Sequence, residues 1–122
     1  MSTLFQKYGG FSQISKVVLA FYDRVLDSDI IGDRFEETEM TRLIDHQTKF
    51  MAALLGGPAS HTPEHLRQVH HPLGLTEEEF AEMAVLLRET LDEHRFEPAD
   101  ADEVMRLVSS YKDMIVKPPT AA

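Results

Sequence analysis

Residues 40–58 read MTRLIDHQTKFMAALLGGP, a helix signature with a flaw in it. Leu43, His46, Gln47, Phe50, Met51 and Leu54 recur at spacings of three and four, the repeat of one face of an α-helix. Gly56-Gly57-Pro58 stops that helix, because proline cannot continue it and glycine frees the backbone. Two members of the face, His46 and Gln47, are polar. Burying such groups without partners costs roughly 1–3 kcal/mol each. Either the helix turns outward there, or something polar lies inside, and spacing leaves both open.

The same period continues on both sides. After Gly9-Gly10 the residues Ile14, Val17, Val18, Phe21, Val25 and Leu26 form an apolar stripe, with Ser12 the expected N-cap. Asp27-Ser28-Asp29 ends it, and a short turn of helix is expected before Phe35. Beyond Pro58 the chain turns polar and rich in histidine. A short helix is expected from Glu64 to His70, ended by Pro72 and Gly74. Thr76 begins a capping box with Glu79, and Phe80, Met83, Ala84, Leu87 and Leu91 form the stripe of the helix it opens. Asp100 or Asp102 is expected to open the last helix, with Val104, Leu107, Val108, Tyr111 and Ile115 as its stripe. No stretch alternates apolar and polar residues as a half-buried strand does. The class is therefore all-α, with about four substantial helices and two or three short ones. A single domain over residues 1–117 is expected, with 118–122 a flexible tail because Pro118 and Pro119 cannot extend a helix.

Composition narrows the function. A chain of 122 residues can bury one core. The net charge of -9 opposes binding to nucleic acid or anionic lipid, which need clustered Lys and Arg. No apolar run approaches the roughly 18 residues of a membrane span. Met1 to Gly10 lacks the charged-then-apolar order of a signal peptide, so a cytoplasmic location is the default expectation. Cysteine is absent, which removes disulfides and thiolate chemistry. No nucleophile elbow, glycine-rich phosphate loop or HExxH motif is present.

A few residues look chemical. Tyr22 sits beside Phe21 on the first long helix. Its hydroxyl needs a partner if buried, or its tip reaches solvent. His70 and His71 end the short helix before Pro72, and imidazole is a common neutral ligand of iron and zinc. His61, His65, His70 and His71 would also make a zinc set. Pro63 interrupts their helical spacing and no cysteine joins them, so zinc is disfavoured.

Taken in order, these residues resemble the group I truncated haemoglobins over nearly the whole chain. The similar elements are Tyr8-Gly9-Gly10, the run Phe21-Tyr22-Asp23-Arg24-Val25-Leu26, Phe35, and Met40-Thr41-Arg42-Leu43 with His46-Gln47 and Phe50. They continue with Leu55-Gly56-Gly57-Pro58 and end with Val69-His70-His71-Pro72-Leu73-Gly74-Leu75-Thr76 leading to Phe80. The resemblance implies a two-over-two helical sandwich enclosing haem b, held non-covalently. It implies that His70 is the proximal iron ligand and that Phe35 packs on the porphyrin. Tyr22 matches the distal tyrosine that donates a hydrogen bond to dioxygen at the iron, and Gln47 a second distal polar residue. Leu43 takes the distal gate position. Arg42 and His61 fall near haem propionates, while Phe50, Phe80, Met83 and Leu87 line the pocket. His46 resembles the histidine that closes the sixth iron site in cyanobacterial members; the alternative places it at the haem edge. Some cyanobacterial members link a haem vinyl to a histidine late in the last helix, but no histidine follows His94 here.

The resemblance implies binding of dioxygen, nitric oxide and carbon monoxide by a monomer or weak dimer. Nitric oxide dioxygenase or peroxidase-like chemistry, with an unidentified reductase, is the expected extension. The alternative is a bis-histidyl haem protein for electron transfer or redox and gas sensing, resting on His46. A helical interaction module without cofactor is the third reading, and it predicts no Soret band.

Overall fold

Thr3 accepts a hydrogen bond from the Gln6 amide, and the Gln6 side chain accepts one from the Thr3 amide. This capping box opens α1 (Leu4–Lys7), a helix too short for periodicity to reveal. The computed structural model describes residues 3–57, 75–112 and 116. Gly9 then adopts φ 95°, a left-handed conformation that glycine enters without a Cβ clash, and caps α2 (Gly10–Leu26). Ser12 is therefore not the N-cap. The left-handed glycine turns the chain early, and Ser12 lies inside the first turn, where its carbonyl accepts from the Ser15 hydroxyl.

Asp27 ends α2, and a 3₁₀ turn at Gly32–Phe35 follows, as the short turn before Phe35 anticipated. Gly32 has no room for a side chain: a Cβ there would sit 2.6 Å from the Leu26 carbonyl oxygen. α3 spans Met40–Leu54, with the Glu39 carboxylate accepting from the Arg42 amide. α4 spans Glu77–Glu93 behind the Thr76–Glu79 capping box. α5 spans Pro98–Ser110. It opens at neither Asp100 nor Asp102, because Pro98, with its φ already fixed near the helical value, occupies the first helical position. Among the described residues there is no strand.

α2 packs against both α3 and α4, and α4 packs against α5. This gives two layered helix pairs, the expected two-over-two sandwich. Ile14, Val25, Leu91 and Val104 are fully buried where α2, α4 and α5 meet. Leu26, counted in the apolar stripe of α2, is instead 44% exposed beside the turn that ends the helix. No helix among the described residues is long and apolar enough to cross a membrane. The expected helix at Glu64–His70 and the tail at 118–122 lie outside the described residues.

Candidate functional site

Between the two helix layers lies a cavity of 340 Å³. That is within the range of roughly 300–1,000 Å³ typical of small-molecule and cofactor sites. α2 contributes Phe21 and Tyr22, and the 3₁₀ turn contributes Arg34 and Phe35, with Thr38 just after it. α3 contributes Leu43, Gln47, Phe50 and Met51, and α4 contributes Phe80, Met83, Ala84 and Leu87. The walls are mostly apolar and aromatic, which suits a large flat hydrophobic group.

Tyr22 is 3% exposed. Phe21 meets its ring edge-on at 5.0 Å and Phe35 at 5.9 Å. Its tip does not reach solvent, and its hydroxyl makes no hydrogen bond among the described residues. Burial pushes its pKa up, so the phenol stays protonated and remains a donor. A buried donor without a partner costs roughly 1–3 kcal/mol, a cost removed when something inside the cavity accepts from it. The Gln47 side chain, half-buried on the facing helix, is likewise without a hydrogen bond among the described residues. Two polar groups without partners among the described residues, on a mostly apolar wall, fit a haem with a small polar ligand on that side.

The polar pair on α3 divides. Adjacent helical residues point about 100° apart. Gln47 lines the cavity, whereas His46 is exposed and outside the lining. Arg42 is exposed and outside it as well. The core-facing stripe of α3 runs through Thr48 and Ala52, with Ile44 packed alongside. Neither Thr48 nor Ala52 looks apolar enough to mark a face. Thr48 is buried without penalty because its hydroxyl donates to the Ile44 carbonyl at 2.7 Å. His61 and His70 lie outside the described residues.

Arg34 and Thr38 line the cavity without having been singled out by the sequence, and Met51, read there only as part of an apolar stripe, lines it too. The signal was faint: Arg34 precedes Phe35, and Thr38 follows Arg34 at a helical spacing of four. Arg34 donates through Nε and Nη2 to both oxygens of the Glu79 carboxylate, the Nη2 bond at 2.7 Å. That pairing holds Glu79 well below the usual carboxylate range.

A helical sandwich around an apolar cavity, with a buried tyrosine on one wall, is the architecture of a small globin. The chain belongs to the bacterial-like globin family, whose model matches residues 3–117, and within it to the group 1 truncated haemoglobins. A group 1 truncated haemoglobin of Mycolicibacterium paratuberculosis is 36% identical over 90 residues, covering 74% of this chain and 66% of the relative. One from Synechocystis is 35% identical over 97 residues, covering 76% of this chain and 78% of the relative. The truncated haemoglobin of Tetrahymena pyriformis in its Fe(III) form superposes with a TM-score of 0.87 at 25% identity, covering 96% of this chain and 100% of that one. The 2/2 haemoglobin of a Synechococcus species, in the cyanomet state with covalently attached haem, gives 0.87 at 28% identity, covering 94% and 98%. Haem-based binding of diatomic gases is the general function of the family.

Proposed function

We propose that this chain holds haem b non-covalently through His70 and binds dioxygen and other diatomic ligands at its iron, with Tyr22 and Gln47 as the distal donors. The observation that carries this reading is the Tyr22 hydroxyl, buried on the cavity wall without a partner among the described residues. Haem seated there supplies an iron that takes dioxygen, carbon monoxide and nitric oxide and, given an outside reductase, supports oxidation of nitric oxide to nitrate. Phe35 offers its ring to the macrocycle, and Phe50, Phe80, Met83 and Leu87 exclude water. Tyr22 and Gln47 then donate to the ligand in a dry setting, where such bonds act more strongly than in water. Leu43 places an apolar side chain on the same wall. Non-covalent attachment is supported by the absence of any histidine after His94. Arg42 and His61 are the candidates for the propionate edge.

Reversible coordination by His46 requires α3 to turn, because the imidazole is exposed outside the cavity lining. A bis-histidyl electron-transfer or sensing role depends on that rotation. Absorption spectra of the ferric, ferrous and CO-bound protein test the whole reading. Protein that stays colourless with hemin, or that keeps its iron–nitrogen bond in His70→Gly, removes the haem assignment. A ferric low-spin spectrum lost in His46→Ala supports coordination by His46, and a high-spin aquo-type spectrum in the wild type removes it.

A further inference from the structure

Arg34 is the one charged side chain among the described residues that line the cavity. Its partner Glu79 is not on the lining, and the Glu79 side chain is only 10% exposed. Glu79 is also the one buried carboxylate among the described residues. One of its oxygens accepts the Thr76 amide at 3.0 Å, which fixes it within the first turn of α4. Of the pair, Arg34 therefore lies on the cavity lining and Glu79 behind it. Three further carboxylates lie near the pair among the described residues: Glu82, one turn along α4, accepts from the Ser28 hydroxyl at 2.6 Å and keeps its charge, while Asp33 and Glu36 beside Arg34 are exposed and screened by water. The Glu79 end of the pair is buried and the Arg34 end partly exposed, and such a pair is a weak stabiliser compared with apolar packing, so stability alone does not account for its position.

We infer that Arg34 is a specificity-determining group of the cavity, favouring anionic ligands over neutral ones, with Glu79 the positioning residue that sets how much of the charge the cavity feels. The inference rests on the haem reading, because the haem iron is where such ligands bind. Glu79→Gln suits the test, since the glutamine oxygen can keep the capping-box hydrogen bond while the charge and the acceptor for Arg34 Nε are lost. Azide serves as the anionic probe of the ferric holoprotein at about pH 8, where imidazole is mostly uncharged and serves as the neutral one, and carbon monoxide is the neutral probe of the ferrous form. Glu79→Gln should tighten azide by at least about threefold and leave imidazole and carbon monoxide within about twofold. Arg34→Gln should weaken azide by a similar factor, Arg34→Lys should stay near wild type, and Arg34→Gln with Glu79→Gln should return toward it. The haem reduction potential should rise in Glu79→Gln and fall in Arg34→Gln. Azide affinity that ignores both charges, or that moves together with imidazole, overturns the role of Arg34 while leaving the haem reading intact. Protein that takes up no haem ends both.

Discussion

Tyr8 lies flat on Phe96, with ring centroids 3.8 Å apart and planes 4° from parallel. Its hydroxyl donates to Asp100 at 2.6 Å and accepts from the Glu97 amide at 3.0 Å. Lys7 reaches the same Asp100 carboxylate at 2.7 Å. The short α1 is thus fastened to the start of α5. Tyr8→Phe keeps the stacking and removes both hydroxyl bonds, and it should lower stability by about 1 kcal/mol in urea unfolding. A midpoint within error of wild type would show that the clamp is idle.

Acid should loosen the molecule at defined carboxylates. Asp100 is held below the usual carboxylate range chiefly by the Lys7 ammonium and then by the Tyr8 hydroxyl. Glu79 is held low chiefly by Arg34. In both cases the unfolded chain takes up the proton first as pH falls. Their stabilising contributions are therefore complete above the ordinary carboxylate range and disappear as pH drops through the lowered folded values. The thermal midpoint should fall steeply below about pH 4, and Asp100→Asn should flatten that limb. An equally steep limb in Asp100→Asn would place the acid sensitivity elsewhere.

Tyr22→Phe should act in opposite directions on fold and function. Without haem, removing a buried hydroxyl that has no partner should leave stability unchanged or raise it by about 1 kcal/mol. With haem, dioxygen should dissociate at least about tenfold faster, the loss of one charge-assisted hydrogen bond. Stopped-flow dissociation and thermal melts of the apoprotein measure the two halves. Unchanged dissociation would remove Tyr22 from the distal site.

Gly32→Ala tests the turn that carries Phe35. A Cβ at this position meets the Leu26 carbonyl oxygen, and backbone cannot swing aside as a side chain can. A cost of about 2 kcal/mol is expected, together with faster haem transfer to apomyoglobin as Phe35 shifts. Wild-type transfer rates would mean that the turn relaxes without disturbing the wall.

Helix existence was legible because long apolar stripes at spacings of three and four match the turn of an α-helix and cannot line one face of a strand. Helix starts were less so. Ser12 and Asp100 are good capping residues by type, but the left-handed Gly9 and the pre-set Pro98 act earlier in the chain and pre-empt them. The resemblance pointed to Tyr22, Phe35, Leu43, Gln47, Phe50, Phe80, Met83 and Leu87, and all of these line the cavity. Periodicity alone placed His46 and Gln47 on one face, because a stripe read from spacing has no sharp edge. Only packing reveals that the boundary of the cavity runs between those two neighbours. Arg34 and Thr38 were illegible for a different reason. Their aim is set by a 3₁₀ turn whose direction depends on Gly32 pressing against α2.

α3 carries two jobs on separate strips of its surface. Leu43, Gln47 and Phe50 face the chamber, while Thr48 and Ala52 seat the helix against its neighbours. Mutation along the first strip can retune what the chamber holds, and how firmly, without loosening the joint made by the second. Relatives that share this scaffold are thereby free to diverge in ligand preference over evolutionary time, one side chain at a time, with the architecture left standing.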